Sequence, residues 1–247
     1  MLVLAGPGSG KTKVLTERIR VLIEEENIEP NSILVITFSK KAAVEMKNRF
    51  EYLTNNRGYP VNFGTFHAVF YHIISHHNNF TNGNIITQKE MRQYIADVGI
   101  TLGIEKASYA SWQNDILKKI SEYKNFGDDY ITNQLSLVMD EKEITQFKEI
   151  YTKYQNRCCS EEKIDFDDMI IMCRKLFLKH ESVLRMWQGY YKYILVDEFQ
   201  DINDAQYDIL RLLAGNNRNV FAVGDISIVD KIRRIKRGAY YSCEKVA

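Results

Sequence analysis
Apolar positions along the chain fall into two alternating rhythms. Short continuous runs at residues 2–4, 33–38, 61–65, 193–196 and 219–223 read as β-strands. Between several of them the apolar residues step by three and four, first Leu15, Ile19, Leu22 and Ile23, then Ala43, Met46, Phe50 and Leu53, so each set lines one face of a helix. The spacing suits parallel crossovers and predicts an α/β fold in which helices flank a parallel sheet. Ligands of such sheets gather at the carboxyl ends of the strands, so residues 6–12, 37–41, 65–67, 197–201 and 224–225 are expected to share a site.

From about residue 78 to 160 the rhythm changes. Strand alternation stops, and charged, tyrosine-bearing helical sequence takes over, with Ile116, Ile120 and Tyr123 on one face and Ile144, Phe147, Ile150, Tyr151 and Tyr154 on another. An all-helical subdomain inserted into the sheet domain is expected. Lys118, Lys119 and Lys124 read as the solvated side of an amphipathic helix, with duplex DNA as the alternative contact. A following helix carries Phe166, Met169, Ile170, Cys173, Leu176 and Phe177 on its apolar face, and Asp165 is a candidate for its N-cap. The expected organisation is a first core segment at 1–77, the helical insertion at 78–160, a second core segment at 161–225 and a divergent basic tail at 226–247.

Composition changes this picture little. The 247 residues are 45% hydrophobic and 26% charged with a net charge of +1, so no global field draws in nucleic acid and any such site must be local. Cys158, Cys159, Cys173 and Cys243 have neither paired spacing nor nearby histidines, which favours a reduced, cytoplasmic location without structural zinc. Residues 1–5 are too few for a signal or membrane helix, and no later run reaches membrane-spanning length, so no membrane is expected as a partner.

Two segments carry chemistry. Ala5-Gly6-Pro7-Gly8-Ser9-Gly10-Lys11-Thr12 follows the first strand and opens the first helix. Gly6, Gly8, Ser9 and Gly10 form a loop whose N–H groups can surround a phosphate, Lys11 would reach the β- and γ-phosphates of ATP, and the Thr12 hydroxyl would ligate Mg²⁺. The first position is alanine where the common pattern has glycine. The second segment, at 193–201, sets Asp197 and Glu198 directly after a buried-type strand. Asp197 would hold Mg²⁺ and Glu198 would polarise the water attacking the γ-phosphate, with Gln200 and Asp201 extending the polar surface. The competing explanation is an acidic start to the next helix.

These residues resemble superfamily 1 helicases of the UvrD/PcrA/Rep type, through LVLAGPGSGKT, ITFSKKAAVEMKNR, GTFHA, DFDDMI and ILVDEFQDINDAQYDIL in the family's order. The resemblance implies a P-loop, RecA-like first motor domain with a helical insertion, and ATP-driven translocation on single-stranded DNA by the complete family enzyme. It gives Lys11, Thr12, Asp197 and Glu198 the nucleotide roles above and has Gln200 and Asp201 link nucleotide state to DNA. Phe38 stands where the family has a base-contacting aromatic, with Lys40, Thr65 and His67 near the strand. One aromatic face with nearby cations suits sequence-tolerant binding of single strands or single/double-strand junctions, whereas the bland reading puts Phe38 in the core.

After Val223-Gly224-Asp225 the chain leaves the family's pattern: Ile226-Ser227-Ile228-Val229-Asp230 contains no glutamine to sense the γ-phosphate, and Arg237-Gly238-Ala239 arrives late. The family's upstream glutamine motif and second RecA-like domain have no counterpart in these residues. The expectation is a motor domain truncated at both ends relative to the family. An arginine supplied across a cleft is worth about 10³–10⁵ in related phosphoryl transfers, so weak turnover and no unwinding by this domain alone are expected, with the second domain supplied in trans as one route to activity. The rival expectation is a non-catalytic remnant that binds DNA or a partner.

Overall fold
The computed structural model describes residues 1–4, 10–78, 80–216 and 218–225. The chain runs β1 (Leu2–Leu4), α1 (Lys11–Glu24), β2 (Ile33–Thr37), α2 (Lys40–Leu53), β3 (Asn62–Thr65), α3 (Phe66–His77), α4 (Gln88–Thr101), α5 (Ala110–Phe126), α6 (Asp128–Asn133), α7 (Glu141–Ser160), α8 (Phe166–Lys179), α9 (Glu181–Tyr190), β4 (Tyr193–Val196), α10 (Asp204–Ala214) and β5 (Val220–Gly224). It divides into two compact units, Met1–His72 with the described residues from Cys173 onward, and Ile73–Met172.

The first unit is built on a five-stranded parallel sheet in the order β1-β5-β4-β2-β3. Every residue of β2 is buried, as a strand covered on both faces requires, while β1 at the edge leaves Leu2 and Leu4 exposed. Leu15, Ile19, Leu22 and Ile23 of α1 and Met46 and Phe50 of α2 cluster with Ile33, Val35, Leu195 and Val223, so the helix faces read from the sequence are the faces that pack. This is the α/β, RecA-like architecture expected. The register aligns the strand ends: Thr37 lies beside Thr65, Ile36 beside Val196, and Val196 beside Ala222. Gly224 therefore stands two residues further along β5 than Val196 does along β4, level with residue 198.

The second unit is helical, and its core gathers Tyr94, Ile95 and Val98 of α4, Ile116 and Ile120 of α5, Tyr130 of α6, and Phe147, Ile150 and Tyr154 of α7. Reciprocal side-chain and backbone bonds between Thr87 and Glu90 start α4, and those between Asp140 and Glu143 start α7. Asp165 and Asp168 make the same exchange at the start of α8, at 3.1 and 2.9 Å.

Two side chains of this unit depart from the sequence reading. Lys124 is not on a solvated side, nor is it available to DNA; its side chain is 1% exposed and its Nζ donates to Asp165 Oδ2 at 2.6 Å and Asp168 Oδ1 at 2.8 Å. Tyr154 OH adds a bond to Asp165 at 3.3 Å. Burial alone would lower the lysine's pKa, but the attraction of the two carboxylates and their hydrogen bonds raise it. Phe166, placed by the sequence on the apolar face of α8, is exposed. It is the first residue of α8, so the face that packs begins at Met169.

Candidate functional site
The site assembles at the carboxyl end of the sheet. Gly10 sits at φ 89° immediately before α1, a left-handed conformation that suits glycine, and turns the chain so that Lys11 becomes the first helical residue. Gly6, Gly8 and Ser9 lie outside the described residues. Lys11 Nζ reaches across to Glu198 Oε2 at 2.6 Å, with the lysine side chain mostly enclosed. Thr12, next along α1, is half-buried.

Asp197 continues the β4 ladder by donating its N–H to Ile36 O at 2.9 Å, and its carboxylate accepts the Glu198 N–H at 3.0 Å. Burial and the neighbouring Glu198 charge raise the Asp197 pKa above the ordinary carboxylate value, against the pull of the Glu198 N–H and Lys11. Glu198 has φ 47°, a left-handed backbone uncommon outside glycine and asparagine, which breaks the strand and turns the carboxylate toward Lys11. Burial pushes the Glu198 pKa up, but hydrogen bonds from Lys11 and Gln200 outweigh it and leave the group below its usual range. The two neighbouring carboxyls are thus shifted in opposite directions, a separation that suits division of labour between adjacent acids.

Gln200 completes the cluster: its Nε2 donates to Glu198 Oε2 at 2.7 Å, and its Oε1 accepts the Asp225 N–H at 3.1 Å. The structure thereby brings Lys11, Asp197, Glu198, Gln200 and Asp225 into one constellation from α1, β4 and β5. Sequence reasoning placed all five at the same sheet edge but gave no indication of the Lys11–Glu198 pair or the Gln200–Asp225 bond.

The ends of β2 and β3 carry the remaining candidates. The strand stops at Thr37, whose hydroxyl donates to Ser39 O at 3.0 Å, and Ser39 caps α2 by accepting the Ala42 N–H at 3.1 Å. That turn ejects Phe38, which is 63% exposed, so the core placement of this ring does not hold. Lys40 opens α2 and is exposed. One strand over, Thr65 Oγ1 accepts the Ala68 N–H at 3.3 Å, and His67 sits half-buried in the first turn of α3.

The chain that places this acid pair, lysine and exposed aromatic at its strand ends matches the family model of the UvrD/REP helicase N-terminal domain over residues 1–227. This chain belongs to that family. Among its UvrD/REP relatives, YjcD of Bacillus subtilis is 38% identical over 234 residues, covering 91% of this chain and 30% of YjcD. The ATP-dependent DNA helicase PcrA of Staphylococcus aureus is 34% identical over 238 residues, covering 91% of this chain and 31% of PcrA. The chain thus spans about 30% of the length of these curated relatives and corresponds to the N-terminal region of UvrD/PcrA-type helicases.

Proposed function
We propose that this chain is the ATP-binding and ATP-hydrolysing first motor domain of a UvrD-like translocase or helicase that acts on single-stranded DNA. The observation that carries the reading is the Lys11–Glu198 pair beside buried Asp197, at the end of the sheet where the phosphate loop enters α1. In this reading Lys11 turns from Glu198 to the β- and γ-phosphates, and Gly6, Gly8, Ser9 and Gly10 supply the loop around them. Glu198, freed from the lysine, accepts a proton from the attacking water. Thr12 and Asp197 would hold Mg²⁺, and one hydroxyl and one carboxylate fit a cation that otherwise keeps water and phosphate oxygens as ligands. When bound, that ion neutralises charge on the phosphates.

On the same reading Phe38 stacks on bases while Lys40, Thr65 and His67 lie along the strand, the DNA being single-stranded or a single/double-strand junction. The helical unit serves as the inserted subdomain, and the RecA-like core comprises the residues before and after it. Unwinding calls for a second RecA-like domain, with supply in trans as one route to activity.

The test is phosphate release from Mg-ATP by the purified chain, with and without single-stranded DNA. DNA-stimulated release that disappears in Glu198→Gln is the expected result, and release indifferent to both would remove the proposal. For the DNA face, Phe38→Ala is expected to weaken binding of a labelled oligothymidine by about 1–3 kcal/mol, the range for one base–aromatic stack. Anisotropy titrations that superimpose on wild type would take Phe38 out of the interface.

A further inference from the structure
Glu198 receives two donors on the same oxygen, Lys11 Nζ at 2.6 Å and Gln200 Nε2 at 2.7 Å. The opposite end of the Gln200 amide accepts the backbone N–H of Asp225 at 3.1 Å, and Nε2 also lies 3.2 Å from Asp201 Oδ2. We infer that Gln200 is the positioning residue of this site, its amide tying the Glu198 carboxylate to the end of β5 and keeping it aimed once Lys11 turns to phosphate. The inference rests on the ATPase reading above.

The chemistry is specific to an amide. Glutamine offers a donor and an acceptor on one rigid plane, so it can hold a carboxylate with one end and a backbone N–H with the other. Glutamate in its place would only accept, leaving Glu198 to face another negative group. Glu198 also needs such a holder. Its left-handed backbone belongs to neither strand nor helix, so no regular register fixes where its side chain points. Among the described residues, the charged groups facing it are Lys11 from the start of α1, Asp197 from the end of β4 and Asp225 from the end of β5, with Asp201 reaching the Gln200 amide. With Lys11 engaged elsewhere, the Gln200 donor is the side-chain hydrogen bond that Glu198 keeps among the described residues. Because the tether ends on Asp225, a displacement of the β5 end would be felt at the carboxylate that polarises water.

The experiment uses the full chain, ¹³C-labelled, as wild type, Gln200→Ala and Gln200→Glu. At one fixed neutral pH, the Glu198 carboxyl resonance, assigned by its loss in Glu198→Gln, and the Asp225 backbone amide resonance are both expected to move in both variants, since each loses its bond to the Gln200 amide. DNA-stimulated ATP hydrolysis is expected to lose up to about 100-fold in kcat, as a misplaced reacting group does, with KM for ATP little changed. Glu198 and Asp225 resonances in Gln200→Ala that coincide with wild type overturn the inference, whether or not the chain turns over ATP. A loss confined to KM overturns it as well. Shifted resonances in a chain whose wild type releases no phosphate uphold the contact and overturn the hydrolytic reading instead.

Discussion
Lys11→Ala is expected to remove measurable Mg-nucleotide binding by this chain, lowering affinity by about 100-fold or more. The figure follows from the chemistry lost: hydrogen bonds to charged groups are worth roughly 1.5–3 kcal/mol each, and Lys11 would make them to two phosphates. No neighbouring cation stands in among the described partners of Glu198, whose contacts are Lys11 and the uncharged Gln200. The fold should survive the substitution. The Lys11–Glu198 pair leaves about a third of the glutamate side chain in solvent, and pairs exposed to that degree contribute little to stability. Calorimetric titration with Mg-ADP or a non-hydrolysable ATP analogue checks the prediction, with circular dichroism confirming structure. Affinity equal to wild type would mean that the nucleotide does not lie where α1 meets β4, and the assignment of residues 10–12 would fall with it.

The second large effect lies in the helical unit. Lys124→Met should destabilise that unit by about 3–5 kcal/mol, because it strands two buried carboxylates without their cation. The two tryptophans allow this to be read locally: Trp112 packs against the helical core, whereas Trp187 lies in the sheet unit, so a Trp187→Phe background makes fluorescence report on the helical unit alone. Urea denaturation in that background gives the midpoint. The effect should depend on pH. Burial and the charge of Asp165 raise the Asp168 pKa, against the pull of Lys124. A raised carboxyl stabilises the fold most below its unfolded pKa and loses that contribution as pH rises through the folded value. Removing Lys124 raises the folded value further, so the loss should be larger at pH 8 than at pH 5. Lys124 is itself a raised cation, so in wild type its contribution should persist through neutral pH and vanish only as pH climbs past the ordinary lysine range. Converting both aspartates to asparagine in the Lys124→Met chain should recover much of the stability, since no buried charge remains. Equal midpoints for wild type and Lys124→Met would mean that the cluster is solvated in solution.

How much of this was legible beforehand can be seen residue by residue. Leu15, Ile19, Leu22, Ile23, Met46 and Phe50 are buried where their spacing put them, because a helix carries its own periodicity and an apolar stripe has one energetically acceptable direction to face. Strand limits were readable to within a residue for the same local reason; β2 stops one position early, at Thr37, where a hydroxyl-to-backbone bond turns the chain. The nucleotide candidates were legible as types at strand ends. A glycine-rich turn before Lys11 and an acid pair after an apolar run constrain chemistry through covalent neighbours alone.

The sequence by itself therefore determined the fold class, the helix faces, the strand ends that converge and the family. Tertiary structure decided what each long polar or aromatic side chain does there. Phe38 continues an apolar strand in sequence, yet faces solvent because the Ser39 cap redirects the backbone. Lys124 resembles exposed Lys118 in sequence, yet is buried because two acids some forty residues further on, 41 and 44, meet its ammonium. Lys11 and Glu198 are separated by 187 residues and Gln200 and Asp225 by 25, and no local pattern specifies either contact. The physical reason is common to all of them. Burying apolar surface is non-directional and shows in periodicity, whereas a buried charge or amide is tolerable only when a particular partner arrives in hydrogen-bonding geometry, and that arrival is a property of the folded chain.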